Sequence, residues 1–387
     1  MVLKPKNILT LALSALPLLS LAEGLLSVDN PAKNTLEYKA YASLEAFAGN
    51  DQVAMRQYIT QWQGTYSPRS DTNIGLLSAR TESGVQWDRF RVSILYRAEG
   101  LVQANRDSSD LVQQFNNRRG YDLGRSYLID AQIKGFEATG ARLSKSLAFN
   151  PGSQWALDVG LGMSYLHGKS LKLQTATGQA ITLNAKDFDA SVTTNDTDSS
   201  INIHDLAYFN APYGRLTSPS GQGYALDAGL VLRHKDNGFS AELAVADLAG
   251  RINWTNVPSN VTDYKTATKY YDTDGFVNFN PAATRISSYQ NVSQSLDPKV
   301  WLALNYAFDR FELQGAGSYT AGYWFPQAGI RYRPNAKWAL SADYDLRFHT
   351  VGLSMQYQWL HLGLITDSSN LNAAKAFGVT ASITVPF

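Results

Sequence analysis

Apolar and polar residues alternate with a period of two over much of this chain. In LEYKAYASLEAF, Leu36, Tyr38, Ala40, Ala42, Leu44 and Ala46 share one face, and Glu37, Lys39, Tyr41, Ser43 and Glu45 share the other. DRFRVSILYRAE sets Phe90, Val92, Ile94, Tyr96 and Ala98 against Arg89, Arg91, Ser93, Arg97 and Glu99. QWALDVGLGMSYL, GYALDAGLVLRH, KVWLALNYAF and KWALSADYDLRF repeat the pattern. Successive side chains of a strand point to opposite faces, so each segment reads as a strand with one apolar face. Strands are expected over 36–47, 53–66, 72–81, 85–99, 125–135, 137–148, 154–166, 170–183, 223–234, 238–248, 299–309, 311–320, 326–333, 337–347, 350–358, 359–366 and 376–387, with short neighbours merging.

The apolar faces begin or end in aromatics, as from Trp155 to Tyr165 and from Trp338 to Phe348. Strands of about ten residues that cross a bilayer carry aromatics at both interfaces. Lipid cannot hydrogen-bond a free strand edge, so such strands must close on themselves. The expected fold class is therefore all-β: a closed antiparallel transmembrane β-barrel of about 14 strands, with 12 or 16 as alternatives because single-chain bacterial barrels have even numbers. No repeat of constant period is visible, which argues against solenoids and propellers.

Three segments break the alternation. Residues 106–120 read as a short helix capped by Ser109 or Asp110, with Leu111, Val112 and Phe115 on one side, placed at the barrel mouth or in the lumen. Residues 184–222 and 249–298 are long and polar and are expected as external loops, where barrels tend to carry function.

Composition agrees with this picture. Aromatics make up 12% of the chain and charged residues 17%, below the usual quarter. The segment MVLKPKNILTLALSALPLLSLA has two lysines, a short apolar stretch broken by Pro17, and small residues before Glu23. It reads as a signal peptide over 1–22, leaving 23–387 as the barrel. Its removal takes Lys4 and Lys6 away and turns the formal +1 into −1, so no basic excess exists to hold nucleic acid. Cysteine is absent, which excludes a disulfide framework and a lipid anchor on an N-terminal Cys.

If the apolar faces meet lipid, Arg89, Arg91, Arg97, Lys134 and Arg233 point inward with Glu99, Asp130, Asp158 and Asp227. Such a mixed-charge lumen either selects solutes by charge or forms a salt-bridged plug. Asp187, Asp189, Asp196, Asp198 and Asp205, with Asp272 and Asp274 further on, offer oxygen ligands for Ca²⁺ or Mg²⁺ in external loops, but the full Ca²⁺-loop pattern is missing and a solvated acidic loop is the simpler reading. The histidines His167, His204, His234, His349 and His361 show no metal-ligand spacing and are placed at interfaces or in loops. No G-x-S-x-G elbow is present. No cofactor is expected.

The C-terminal FGVTASITVPF resembles the assembly signal of Gram-negative outer-membrane barrels. The resemblance assigns Phe377, Val379, Ala381, Ile383, Val385 and terminal Phe387 to recognition by the barrel-assembly machinery. It implies contact with outer-membrane lipid and lipopolysaccharide. YALDAGLVLRHKDNGFSAELAVADLAGRINW (224–254) and WALSADYDLRFHTVGLSMQYQWLHLGLITD (338–367) are similar to conjugal-transfer TraF-like barrels and, through them, to fatty-acid and aromatic-hydrocarbon transport barrels. Asn30-Pro31-Ala32 matches part of the segment those relatives carry before strand one, without its glycines.

Together these features make a channel or transporter for small solutes in the outer membrane the leading expectation. A conjugal-transfer or envelope-assembly barrel acting through envelope proteins is the alternative that the narrower resemblance implies. An outer-membrane enzyme is a third, which residue spacing does not support. Deleting Phe387 is expected to lower outer-membrane insertion, measured as the heat-modifiable fraction in isolated membranes; normal assembly of the deletion removes that role from Phe387.

Overall fold

Strand pairing closes the sheet on itself. The computed structural model describes residues 26–387 apart from 59–61, 63, 118–121, 153, 185–186, 202–218, 272, 274–276 and 281. The strands are β1 (Lys39–Asn50), β2 (Asn73–Trp87), β3 (Phe90–Ala104), β4 (Ser126–Phe149), β5 (Trp155–Asn184), β6 (Asp187–Asp198), β7 (Ser220–His234), β8 (Phe239–Lys265), β9 (Lys269–Tyr271), β10 (Val277–Phe279), β11 (Ala283–Ser295), β12 (Lys299–Phe308), β13 (Phe311–Thr320), β14 (Tyr323–Asn335), β15 (Trp338–Asp345), β16 (Val351–Tyr357), β17 (Leu360–Thr366) and β18 (Ala376–Pro386). Neighbours pair antiparallel, and β18 returns to β1 with Ala381 opposite Leu44. The barrel has fourteen strands. Although sixteen strands share the sheet, β6 and β11 add no staves. β7 pairs with β5 from Trp155 to Gly168, and above that level β6 takes its place against β5 from Lys172 onward. In the same way β8 pairs with β12 up to Ala246 and with β11 from Arg251.

The outer face is apolar where the alternation requires it. Ile94, Leu161, Met163 and Leu353 are 57–69% exposed, a surface that suits lipid rather than water. Aromatics ring the end of the barrel that carries the short turns and both strand termini. Trp155 meets Phe239 edge-on at 6.3 Å, Phe308 stacks on Phe311 at 5.9 Å, Trp338 lies 4.5 Å from Tyr357 and Tyr38 meets Phe387 at 6.4 Å. Among the described residues no helix is long and apolar enough to cross a membrane.

The wall is uneven in height. β5 has 30 residues, β8 27 and β4 24, whereas β16 and β17 have 7 each. About ten residues cross a bilayer, so β4, β5 and β8 continue past the apolar belt and, with β6 and β11, build a polar collar.

The collar corrects several expectations. Much of 184–222 and 249–298 is strand, not loop: β6, the upper half of β8, β9, β10 and β11 lie there. Above the belt the outward face meets water, and the buried face mixes Ile252, Trp254 and Val257 with Ser259, Asn260 and Thr262, so the apolar alternation is short and broken there. The predicted pairs 125–135 with 137–148, and 154–166 with 170–183, are single strands, because a bulge opposite Glu137 and Ala138 absorbs the change of register. The described residues of 53–66 form no strand; Met55–Tyr58 is a 3-10 turn and Val53 makes a single bridge to Tyr66. There the Asn50 side chain accepts from the N–H groups of Gln52 and Val53 and turns the chain out of the ladder. The signal segment lies outside the described residues.

The expected helix is present as α1 (Arg106–Asn117), but it starts earlier than predicted. Asn105 is the cap, its Oδ1 accepting from Ser108 N at 2.9 Å, so Ser109 and Asp110 are buried in the first turns. α1 lies above β4 and is tied there by Arg125, which donates to Asp107 at 3.0 Å and Asp110 at 2.6 Å; Tyr66 donates to Asp110 at 2.7 Å. Burial works against the Asp107 charge, yet the Leu128 N–H and the Arg125 guanidinium outweigh it and hold its pKa below the usual carboxylate value.

A carboxyl whose pKa is lower in the folded state contributes stability that is full above about pH 4 and lost as pH falls further. A nitroxide on Val112→Cys, in a chain with no cysteine of its own, is therefore expected to be held at about pH 7 and to become mobile below about pH 4. Arg125→Ala is expected to be mobile at both. An unchanged electron-spin-resonance line shape in acid shows that these pairs do not hold the helix.

Candidate functional site in the barrel lumen

The chain before β1 enters the lumen. Its sequence VDNPAKN forms a strap around a 3-10 turn, Pro31–Lys33, which Asn30 caps by accepting from Ala32 N at 2.9 Å. Proline at the first position suits such a turn, since its missing N–H has no partner there in any case. Asn30 Nδ2 donates to Glu242 Oε1 at 3.0 Å and to the carbonyl oxygens of Leu230 and Leu243. Asn34 donates to Ser144 Oγ at 3.0 Å, its carbonyl accepts from Ser146 Oγ at 2.6 Å, and Lys33 pairs with Glu242 at 2.8 Å. The wall is shaped to receive it. A Cβ on Gly160 would lie 2.2 Å from Ala32 N, and one on Gly229 would lie 1.8 Å from Asn30 Oδ1. Only glycine permits this approach of β5 and β7 to the strap.

Around the strap the inward charges pair. Asp29 receives Arg91 at 2.8 Å and also Arg142. Arg142 Nε donates to Asp227 at 2.9 Å. Glu82 accepts from Tyr41 at 2.6 Å and Ser93 at 2.7 Å, and Arg91 approaches it at 3.3 Å. The Arg91 guanidinium also lies over the Tyr41 ring at 3.9 Å. Nearer the turn end, Asp158 bridges Arg89 at 2.9 Å and Arg233 at 2.6 Å. Higher up, Arg97 makes a bidentate pair with Asp247 at 2.8 and 2.6 Å and a bond to Glu99, which also receives Lys299. Buried charges are tolerated only when paired and hydrogen-bonded, and these are.

Seven of the predicted lumen residues thus converge: Arg89, Arg91, Arg97, Glu99, Asp158, Asp227 and Arg233. Asp130 and Lys134 do not. They share the β4 face of Arg142 but lie in its upper stretch, where Asp130 is exposed, and neither joins the network. Asp29, Glu82, Arg142, Glu242, Asp247 and Lys299 were not singled out by sequence. Arg142 was within reach, because it alternates with exposed Leu143. Asp247 was not, because it sits at a bulge with φ of 57° that reverses the alternation.

A cavity of about 150 Å³ remains between strap and wall. It runs along β1 from Lys39 to Glu45, a span of ~20 Å for six residue-to-residue steps of strand. Asp29, Lys33, Arg91, Glu242 and Trp301 also line it. On the far wall Gly329, Ser341, Gly352, Ser354, Gly363 and Ser382 share inward positions on β14 to β18 with the larger Arg331, Asp343, Gln356 and His361. His361, expected at an interface or in a loop, is buried on this wall.

The acidic candidates do not gather. Asp189 accepts from Thr266 at 2.6 Å and Asp198 pairs with Lys172 at 2.5 Å, both along β6. Asp196 lies between them on the strand. The Asp187 side chain and Asp205, Asp272 and Asp274 lie outside the described residues, and among those described no three acidic or histidine side chains could hold a metal ion.

This geometry defines a closed antiparallel β-barrel with a strap inside it. No known family profile matches the chain, and no curated protein does. Solved structures similar to it include the P. putida toluene transporter TodX, at 10% identity over 92% of this chain and 91% of that one, with a TM-score of 0.41. A TodX deletion mutant described as a monoaromatic hydrocarbon channel reaches 0.44 at 10% identity over 92% of each chain. A Pseudomonas aeruginosa FadL homologue reaches 0.39 at 11% identity over 90% of this chain and 89% of that one. These are likenesses of overall fold alone.

Gly229→Leu is expected to expel the strap at a loss of about 1–3 kcal/mol, the usual range for overpacking. Val28, buried in the parent, reports on this: Val28→Cys should resist a maleimide in the parent background and react in the Gly229→Leu background. Equal protection in both would show that the wall does not seat the strap.

Proposed function

We propose that this chain is an outer-membrane channel or transporter for small solutes, and that solutes pass beside the strap. The observation that carries the reading is the polar cavity between strap and β1 inside a closed barrel with an apolar outer belt. Barrels of this strand number are wide enough to enclose a passage rather than a packed core. The end with short turns and Phe387 faces the periplasm, and the collar faces outward. The strap narrows the passage from the periplasmic side without filling it. It is held by hydrogen bonds and ion pairs rather than by covalent links, so its position sets the bore.

The collar favours a second reading, in which an envelope protein docks outside the membrane. Among the described residues β11 pairs only with β8, so its other edge presents free backbone groups above the belt. Capture of a specific envelope protein by cross-linking at Ile286→Cys, 72% exposed in the parent, would support it.

Single-channel recording in planar bilayers tests the channel reading. The refolded protein should conduct, and deletion of residues 26–34 should raise the conductance severalfold. A barrel that passes no ions with or without the strap sinks it.

A further inference from the structure

Six charged side chains line the strap cavity: Asp29, Lys33, Lys39, Glu45, Arg91 and Glu242. Five have counter-ions. Asp29 and Arg91 hold each other, Lys33 holds Glu242, and Lys39 faces Glu37 at 3.8 Å. Of these six, only Glu45 joins no ion pair and no hydrogen bond with a described residue. The charges that act on it are Arg80, Asp29, Glu82 and Lys299, two of each sign. Both cations are already engaged, Arg80 with Glu82 and Lys299 with Glu99. The Glu45 carboxylate is therefore uncompensated inside the barrel, yet it faces open space. Trp301, 2% exposed, forms part of the same cavity wall.

We propose that this cavity is a subsite for the cationic group of a solute, a small organic ammonium ion, with Glu45 as its counter-ion and Trp301 as an aromatic neighbour. This deepens the channel reading by naming the solute class. The chemistry is that of carboxylate plus aromatic ring: a weakly hydrated alkylammonium gives up little solvation, gains the charge of Glu45 and is attracted by the indole π-system. Primary amines would add a charge-assisted hydrogen bond to Glu45. An apolar solute would gain nothing from the carboxylate and would strip it of water, so the subsite discriminates against hydrocarbons. The neighbouring Arg91 and Lys33 do not attract anions in its place, because Asp29, Glu82 and Glu242 occupy them.

The test uses tetramethylammonium chloride and its neutral isostere neopentyl alcohol with the detergent-solubilised full chain, read by saturation-transfer NMR at constant ionic strength. Tetramethylammonium should bind saturably and neopentyl alcohol at least ~tenfold more weakly, the range of one charge interaction. Glu45→Gln should weaken tetramethylammonium by a similar factor and leave the alcohol unchanged. Equal binding of the two probes to the wild-type protein overturns the subsite whether or not the variant folds, as does an unchanged affinity in Glu45→Gln. Conductance without saturable binding would remove the subsite and leave the channel; binding in a sealed barrel would remove the channel and leave the subsite.

Discussion

Closure of the sheet between β1 and β18 is the constraint on which the rest of the structure depends. Within lipid a strand edge has no solvent to satisfy its N–H and C=O groups, so the wall must be continuous. Once Leu44 stands opposite Ala381 and Thr81, the period of two assigns side chains to lumen or lipid along each regular stretch, and a bulge such as that at Asp247 resets it. A slip of one residue would turn Tyr41, Ser43 and Glu45 outward and Leu44 inward. The same reasoning says where closure can lapse. β11 leaves one edge open only above the apolar belt, where water can satisfy it.

Closure then creates an electrostatic problem that the strap solves. Strands β2 to β8 bring Arg80, Arg89, Arg91, Arg97 and Arg142 into a lumen shielded from solvent, where unpaired charge is heavily penalised. Glu82, Asp158, Asp227 and Asp247 balance part of that charge from the wall itself. Asp29 supplies the rest between Arg91 and Arg142, and it arrives on the strap, not on a strand. Strap and wall are thus mutually dependent: the glycines at 160 and 229 admit the strap, and the arginines hold it.

The alternation made the barrel, its strand number and the faces of its residues legible in the sequence, and it identified Arg91, Arg97, Asp158 and Asp227 as lumenal. It does not carry depth. Asp130 and Lys134 have the right parity, but a strand of 24 residues outlasts the bilayer, so they rise out of the site. It does not carry partners across the barrel either, because Arg97 meets Asp247 over a separation of 150 residues. The strap was visible only as Asn30-Pro31-Ala32, a fragment without period. The collar strands were read as loops because their buried face mixes apolar residues with Ser259, Asn260 and Thr262, which breaks the period of two. The similarity read in 224–254 is located by the structure in β7 and the bulged part of β8, where Asp227 and Asp247 meet through a backbone N–H at 3.2 Å.

Side-chain volume is distributed unevenly around the lumen, and that unevenness determines where a passage can lie. Arginines, glutamates and the strap fill the half built from β2 to β8. On β14 to β18 the inward glycines and serines are interspersed with Arg331, Asp343, Asp345, Gln356 and His361. The first half is tied together by its paired charges; the second is filled unevenly, with Gly352 and Gly363 beside Asp343 and His361 and with Phe325, Phe348 and Ile365 packed against Phe47. β1 stands between them, and the strap cavity follows it, with Glu45 facing that space. A lumen packed evenly with paired charges would be a plug, and one lined evenly with glycine and serine would have nothing to hold the strap. The arginine-rich side anchors the strap, and the room left beside it lies along β1 at the edge of that side.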